Sequence, residues 1–254
     1  DRAVIAIDDE FTLGIAERIR RAGKPLTRVL TSHHELRDGI VAEGDQLVER
    51  RRGQSKPIAT LAGIAALRGR HNAQNAAAAV AALGELAQDR VRLQVALQTF
   101  PGLPHRMEEV GRRGRILFIN DSKATNADAA EKALSSFEPI YWIAGGKAKE
   151  GGIEPLRPLF PRIAGAYLIG ASTDDFARTL EGRVAYDICG TLDVALDHAA
   201  HDAERSNAEE PVVLLSPACA SYDQFENFEK RGDRFRELVR AYLTPAASVS
   251  GDAR

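Results

Sequence analysis

Short apolar runs alternate with segments of helical periodicity along most of the chain. Residues 4–7 form an apolar run of strand length, and Asp8 and Asp9 follow it as candidate helix caps. Between residues 35 and 60 the polarity alternates weakly and charges are frequent, which predicts edge strands and turns. The alanine-rich stretch after His71 predicts a strong helix. The first hundred residues therefore combine strands with helices.

A linker separates this region from a second one with a more regular rhythm. Two prolines and a glycine punctuate Pro101-Gly102-Leu103-Pro104, directly after a helix predicted over 91–100. A hairpin with its tip at 111–114 should follow. Four apolar runs then predict strands, at 140–144, 166–169, 184–188 and 212–216. Helical patterns lie before, between and after these strands, near 126–137, 154–161, 173–180, 192–204 and 222–242. This alternation predicts an α/β fold with a mostly parallel sheet covered by helices on both faces.

Composition and charge narrow the class of protein. With 254 residues the chain exceeds the usual domain of about 100–150 residues, so length alone predicts two modest units or one large one. Hydrophobic residues at 44% and charged residues at 28% exclude a largely disordered chain. Lysine and arginine total 34 against 36 acidic residues, so we expect no nucleic-acid partner. Charges interrupt every long apolar stretch, so we expect no membrane insertion. The two cysteines make no disulfide scaffold, which favours a reduced, cytoplasmic location.

Polar loops that follow predicted strands are the first candidates for chemistry, because ligands of open parallel sheets bind beyond the carboxyl ends of the strands. In the segment 120–126 only Ala124 is not polar. Asp121 could accept hydrogen bonds from a ribose or bind a cation, and Lys123 could pair with a carboxylate or phosphate. The alternative interpretation is an extended helix cap without a ligand.

Two further loops have the composition of ligand-binding segments. Residues 144–152 contain four glycines, which let the backbone approach a ligand, and two lysines, of which Lys149 is one. A flexible loop with solvated lysines is the alternative. Small residues after the last strand lead to a predicted helix start at Ser221, which would favour an anion. Cys219 in that loop could be a nucleophile, but no histidine partner is evident and a structural thiol is favoured.

The start of the alanine-rich helix carries a pair of amides. Asn72 and Asn75 are three residues apart and share a helix face, so together they could read a purine edge. Helix capping plus a solvent-facing amide is the alternative. His198 and His201 have a metal-like spacing, but without a third ligand nearby a solvated helix face is favoured.

The order of these segments resembles the Mur ligase family, and in particular its D-glutamate-adding branch. The matching pieces are His71-Asn72-x-x-Asn75, Gly102-Leu103-Pro104-His105-Arg106, Asn120-Asp121-Ser122-Lys123-Ala124-Thr125-Asn126, Gly145-Gly146 through Lys149, and the block from Leu215 through Ser221 and Phe228 to Gly232. The resemblance covers nearly the whole chain except its tail. The first piece is shared widely among Mur ligases, whereas the segments at 121–126 and 216–221 look specific to the D-glutamate-adding branch.

The resemblance implies a fold and a reaction. The family has a UDP-sugar domain, a central ATPase domain and a Rossmann-like C-terminal domain. Residues 1–102 would be the later, incomplete part of the ATPase domain, 103–243 the C-terminal domain, and 244–254 a tail. ATP would phosphorylate the carboxylate of UDP-N-acetylmuramoyl-L-alanine, and the amine of D-glutamate would then displace phosphate, in peptidoglycan synthesis. The expected partners are these small molecules, and the protein is expected to be monomeric.

The resemblance also implies roles for individual residues. Asn72, Asn75, Arg106 and Asp121 would bind the nucleotide. Five residues would line the D-glutamate pocket, namely Lys123, Thr125, Lys149, Ser221 and Phe228, with the two lysines also serving catalysis. ATP and Mg²⁺ are the implied cofactors, and the main Mg²⁺ ligands are expected outside this chain.

The sequence departs from the family pattern at its beginning. No Gly-x-x-x-x-Gly-Lys-[Ser/Thr] occurs, and Asp1 opens directly on a strand pattern. We therefore expect a part of a longer protein that is inactive alone, with a hinge at residues 102–104. Another Mur-type or folylpolyglutamate-type ligase is one alternative, although the Asp-Asn-Pro-Arg motif of the diaminopimelate-adding branch is absent. A non-catalytic Rossmann-like binding module is the other, and a dehydrogenase is disfavoured because no Gly-x-Gly-x-x-Gly follows a strand.

Overall fold

The chain divides into two compact units. The structure is a computed structural model that describes residues 2–31 and 36–244. One unit is Asp1–Gly102 and the other is Leu103–Arg254. The division lies inside the Pro101-Gly102-Leu103-Pro104 segment. All of the tail expected at 244–254 except its first residue lies outside the described residues. The α/β fold class expected from the sequence is confirmed in both units.

The first unit is a five-stranded mixed sheet in the order β1-β2-β3-β4-β5. Its strands are β1 Ala3–Ala6, β2 Leu26–Leu30, β3 Gly39–Glu43, β4 Gln46–Arg51 and β5 Gln54–Thr60. Its helices are α1 Glu10–Arg21, α2 Arg70–Leu83 and α3 Arg90–Gln98. Strands β1, β2 and β3 are parallel to one another. The pairs β3-β4 and β4-β5 are antiparallel. The small side chains of α2, including Ala73 and Ala77, let this helix pack closely against the sheet core.

The second unit is a six-stranded sheet in the order β10-β9-β8-β11-β7-β6. Its strands are β6 Glu108–Arg113, β7 Ile116–Asn120, β8 Ile140–Gly145, β9 Ile163–Ile169, β10 Tyr186–Gly190 and β11 Val212–Leu215. Its helices are α4 Ala127–Leu134, α5 Thr173–Leu180, α6 Leu192–Glu204 and α7 Phe228–Leu243. All neighbouring strands are parallel except β6 and β7.

Helices cover both faces of this second sheet. One face packs against α4 and α5, and the other packs against α6 and α7. The central strands β7, β8 and β11 are buried at every position, which is why they read as continuous apolar runs. Strand β11 lies between β7 and β8, so the loops that follow these three strands leave the same edge side by side.

Three expectations about local structure need correction. The hairpin turn is Gly114-Arg115 rather than 111–114, because the charged residues before it extend edge strand β6. The last helix does not begin at Ser221 or near 222. It begins at Phe228, where the Asn227 side chain accepts from the Lys230 amide at 2.8 Å. The helical pattern near 154–161 is a 3₁₀ helix at Glu154–Arg162, whose prolines remove the amides that an α-helix needs.

Candidate functional site

Backbone and side-chain hydrogen bonds join the loops at the carboxyl edge of the second sheet. The Lys147 amide donates to the Ala220 carbonyl at 2.9 Å and the Ala220 amide donates back at 3.0 Å, which joins the loops after β8 and β11. The loop after β9 joins them through Ser172, whose hydroxyl donates to the Gly146 carbonyl at 2.6 Å. The same hydroxyl accepts from the Ala148 amide at 2.8 Å. The loops therefore form one connected surface.

Asp121 connects the loop after β7 to this surface from the inside. Its side chain is 5% exposed, and its two oxygens accept from the Met107 amide at 3.1 Å and the Ser216 hydroxyl at 2.8 Å. Burial raises the pKa of this carboxyl to about 7, against the opposing effect of the hydrogen bonds and of Arg106. The predicted nucleotide contact is thus a buried group with both oxygens already in use.

We predict that Asp121→Asn flattens the pH dependence of stability between about pH 4 and 7. The pKa of an aspartate in the unfolded chain is 3.8, whereas the pKa of Asp121 in the folded chain is about 7. Between these values the folded chain keeps a proton that the unfolded chain has lost, so the free energy of unfolding falls as the pH rises. Urea unfolding at several pH values measures the slope. Asp128→Asn, on exposed α4 surface, is the control, and an unchanged slope in Asp121→Asn would contradict the prediction.

Lys123 and Phe228 lie together at the rim of the loops. The lysine ammonium stands 4.1 Å from the centre of the phenyl ring, which is a cation–π contact. The ring also lies nearly perpendicular to the His105 imidazole, with 6.2 Å between the two ring centres. Lys123 is exposed and Phe228 is half-buried, so the ring orients a charge that remains available to a ligand.

A buried polar network anchors the backbone on both sides of Arg106. His105 and Met107 have positive φ values of 61° and 45°, a strained conformation for residues with a Cβ. The His105 amide donates to Glu108 Oε2 at 3.0 Å, and the His105 carbonyl accepts from the Lys123 amide at 3.0 Å. The Arg236 guanidinium in turn donates to the Glu108 carboxylate through Nε and Nη2, at distances of 2.6 to 3.1 Å.

The His105 imidazole is packed into the start of α7. Its Nδ1 lies 3.1 Å from Asn120 Nδ2, and a Cβ added to Gly232 would overlap the ring. Burial and the neighbouring Arg236 lower the pKa of His105. The network fixes the backbone at Arg106, whose side chain is exposed to solvent.

The remaining predicted pocket residues lie on the same edge, in different degrees of exposure. Lys149 is exposed on the loop after β8, and its carbonyl accepts from the Gly152 amide at 3.1 Å. Thr125 is half-buried in front of α4, where its neighbour Asn126 caps the helix at 2.8 Å. Ser221 is 3% exposed, inside the turn after β11. The cap interpretation of 120–126 is therefore confirmed for Asn126, and the ligand interpretation of the other residues stays a prediction.

Cys219 has the properties of a structural thiol. It is fully buried, and burial raises its pKa to about 11. Cys189, which is half-buried, also has its pKa raised to about 11, by burial and by Asp187. A nucleophilic thiol needs a lowered pKa, so neither residue is suited to covalent catalysis.

We predict that both thiols react slowly with iodoacetamide at pH 7.5. A pKa of about 11 in place of 9.0 lowers the thiolate fraction at pH 7.5 by about 100-fold, so alkylation of the folded chain should be much slower than alkylation in urea. Mass spectrometry of the chain, labelled with and without urea, compares the alkylation rates of the folded and the unfolded states. Rapid labelling of Cys219 in folded chain would contradict this account.

In the first unit, the two predicted adenine-binding amides differ in their surroundings. Both belong to α2. Asn72 is half-buried and its amide group donates to the Arg68 carbonyl at 2.9 Å, as a local helix contact. Asn75 is exposed. Asn72 therefore makes a local backbone contact but does not cap α2, whose N-cap Gly69 receives no side-chain hydrogen bond, while Asn75 presents its amide to solvent.

Arg231 closes the family-like block at 215–232, but no role was predicted for it from the sequence. It lies on the first turn of α7 with 1% exposure, and its guanidinium contacts Ser122 and Cys219. One signal was available, because Arg231 occupies a position on the same buried stripe as Phe235 and Val239. An arginine at a position that the helical repeat reserves for apolar residues predicts a buried charge, which is rare in proteins and indicates a specific role.

The described part of the chain contains neither a candidate metal site nor a candidate membrane span. Within residues 2–31 and 36–244, no group of three or more His, Cys, Asp or Glu side chains is arranged to hold a metal ion. His198 instead faces Asp187, with Nδ1 3.2 Å from Oδ2. Among the helices of the described residues, none is long and apolar enough to cross a bilayer.

Known sequences are similar to both units of the chain. The family described as Mur ligase, glutamate ligase domain, matches residues 105–219. A UDP-N-acetylmuramoylalanine--D-glutamate ligase from Nitrobacter hamburgensis is 58% identical over 247 residues, which cover 96% of this chain and 53% of the relative. The ligase of the same name from Mesorhizobium japonicum is 56% identical over 95% of this chain and 52% of its own length. The chain thus spans about half the length of these curated relatives.

A solved structure shares the fold at low sequence identity. Folylpolyglutamate synthase from Mycobacterium tuberculosis, complexed with ADP, aligns with a TM-score of 0.58 and 17% identity. The alignment covers 92% of this chain and 55% of that protein. The fold is therefore common to ligases with different substrates, and it does not by itself choose among them.

Proposed function

Because the chain belongs to the Mur ligase family, we propose that it works as part of an ATP-dependent ligase that adds D-glutamate to UDP-N-acetylmuramoyl-L-alanine. ATP would phosphorylate the substrate carboxylate to an acyl phosphate and leave as ADP. The D-glutamate amine would attack the acyl carbon, and the tetrahedral intermediate would expel phosphate to leave an amide. Phosphorylation replaces a poor leaving group with a good one, which is why the ligase consumes ATP.

The observation that carries the proposal is the cationic rim formed by the connected loops of the second unit. D-glutamate has two carboxylates. Lys123, oriented 4.1 Å above the Phe228 ring, and the exposed Lys149 are the side-chain charges that we propose for them. Thr125 and Ser221 would supply hydrogen bonds to the same molecule. The relatives at 56–58% identity, which are named D-glutamate ligases, support this choice over a folylpolyglutamate substrate.

We propose nucleotide-binding residues for each unit by itself. Asn75, with its exposed amide, and Asn72 would hold the adenine, and Arg106 would meet the phosphates. For Asp121 to accept from the ribose, it would have to exchange one of its bonds, to Met107 or to Ser216. Its two bonds link the segment at Met107 and the loop at Ser216.

Mg²⁺ would lower the charge repulsion among the phosphates when it is bound. We propose, as the family resemblance implies, that its main ligands lie outside this chain, so the steps proposed here assign no side chain of this chain to the metal. The substrates are small molecules, and we propose a monomeric cytoplasmic enzyme.

The test is a substrate comparison with the full-length ligase. We expect ADP release that requires both UDP-N-acetylmuramoyl-L-alanine and D-glutamate, with a product one glutamate heavier by mass spectrometry. L-glutamate, meso-diaminopimelate, L-lysine and a folate acceptor serve as alternative substrates. Turnover with one of these in place of D-glutamate would identify another ligase of this fold. Binding without any ATP turnover would identify a non-catalytic module.

A further inference from the structure

The Arg231 guanidinium is buried among uncharged acceptors. Its Nε donates to the Ser122 hydroxyl at 3.0 Å, and its Nη2 donates to the carbonyls of Ser122 at 2.9 Å and Cys219 at 3.0 Å. Its Nη1 is buried and has no hydrogen-bond partner. Asp223 influences the guanidinium from a longer distance, while its own carboxylate accepts from the Ala171 amide at 2.9 Å. Within the described part of the chain, Arg231 forms no ion pair.

A buried positive charge without a carboxylate is costly, and a neutral residue would avoid the cost. Burial lowers the pKa of Arg231 to about 10, which still leaves the guanidinium charged at neutral pH. A purely structural role in bonding two carbonyls and a hydroxyl needs donors but no net charge. The charge therefore calls for a separate explanation.

The position of the guanidinium supplies that explanation. Ser122 directly precedes Lys123, and Phe228 lies one helical turn before Arg231 on α7. A Cβ added to Gly146 would approach Nη1 to 3.3 Å, so the backbone of the loop after β8 passes beside the group that lacks a partner. The loops after β7, β8 and β11 thus converge on one buried cation, directly behind the rim that carries Lys123.

We propose that Arg231 is a positioning residue for a dicarboxylate substrate: it holds Ser122, Cys219 and the Gly146 backbone in place and keeps behind them a positive charge that a substrate carboxylate balances. The identity of the dicarboxylate as D-glutamate rests on the proposed function. The side chain need not touch the ligand, because in a water-poor interior its field acts over several ångströms. Lys123 would make the direct contact.

The test compares Arg231→Met and Arg231→Lys in the full-length ligase. We expect the KM for D-glutamate to rise by about tenfold or more in Arg231→Met, with the KM for ATP within about twofold. Arg231→Lys, which keeps the charge but cannot reach all three acceptors, should fall between wild type and Arg231→Met. Arg234→Met is the matched control, since it removes an exposed arginine from the same helix. A fall in Tm with an unchanged KM for D-glutamate in both Arg231 variants would overturn the proposal.

A direct measurement covers the case in which Arg231→Met does not fold. The side-chain Nε–H signal of Arg231 in the wild-type ligase should shift on saturation with D-glutamate, and also with glutarate, which has both carboxylates but no amine. An Arg231 signal unmoved by either dicarboxylate would reject the inference while D-glutamate turnover kept the proposed function intact. A signal that responds to both dicarboxylates in a ligase that turns over a different amino acid would reject the proposed function and retain the dicarboxylate site.

Discussion

Lys123→Ala should lower kcat/KM for D-glutamate by about 10²- to 10³-fold in the full-length ligase, the usual cost of removing one preorganised charge from a reacting centre. The ammonium is held 4.1 Å over the Phe228 ring at the exposed rim of the loops, so its loss removes a charge that is already in place. Stability should change little, because an exposed cation–π contact contributes about 0.5–1 kcal/mol.

Two further variants separate the effect of the Lys123 charge from the effect of losing any exposed lysine. Lys123→Arg should retain part of the activity, because it keeps the charge and can still stack on the ring. Lys132→Ala removes a lysine of similar exposure from α4 and should be close to wild type. Initial rates at varied D-glutamate supply the measurement. An effect of Lys123→Ala no larger than that of Lys132→Ala would remove Lys123 from the pocket.

Gly145→Ala should destabilise the folded chain by more than about 4 kcal/mol, enough to prevent folding of the second unit. Gly145 has φ = 126° at the end of β8, and an added Cβ would overlap the carbonyl oxygen of Ile169 on the neighbouring strand. That carbonyl accepts from the Gly146 amide at 3.1 Å, so it cannot move away without breaking the connection between strand and loop.

Gly182→Ala is the matched control. Gly182 also has a positive φ, 67°, but an added Cβ meets nothing within 4 Å. Its cost should be limited to the backbone strain of about 1–2 kcal/mol. Urea unfolding of the whole chain, followed by circular dichroism, measures both variants. Equal losses would show that steric overlap at Gly145 is relieved and that only its conformation matters.

The sequence predicted the central strands well because they are buried on both faces. Strands β8 and β11 consist almost wholly of apolar residues, so periodicity alone locates them. Residues near the edge of the sheet were harder to predict. Arg112 and Arg113 look like turn residues, yet they continue β6, because an edge strand can carry charges that a central strand cannot.

For the candidate site, the motifs located the loops but not the burial of their side chains. Asp121 looks like a surface ligand in sequence, and its burial depends on Ser216, 95 residues later, and on the strained backbone at Met107. Likewise, the uncharged acceptors around Arg231 belong to two loops that are distant in sequence. Such long-range contacts leave no local pattern to read.

The placement of β11 has a consequence for how the second unit folds. Strands β7 and β8 bond to β11 along four residues each, so this late strand is what joins the two sides of the sheet. During synthesis the chain must extend past residue 215 before that junction can form. High contact order of this kind slows the search for the native topology. Completion of the sheet and assembly of the candidate ligand-binding edge therefore depend on the same late strand, and a nascent chain that stops short of β11 has neither.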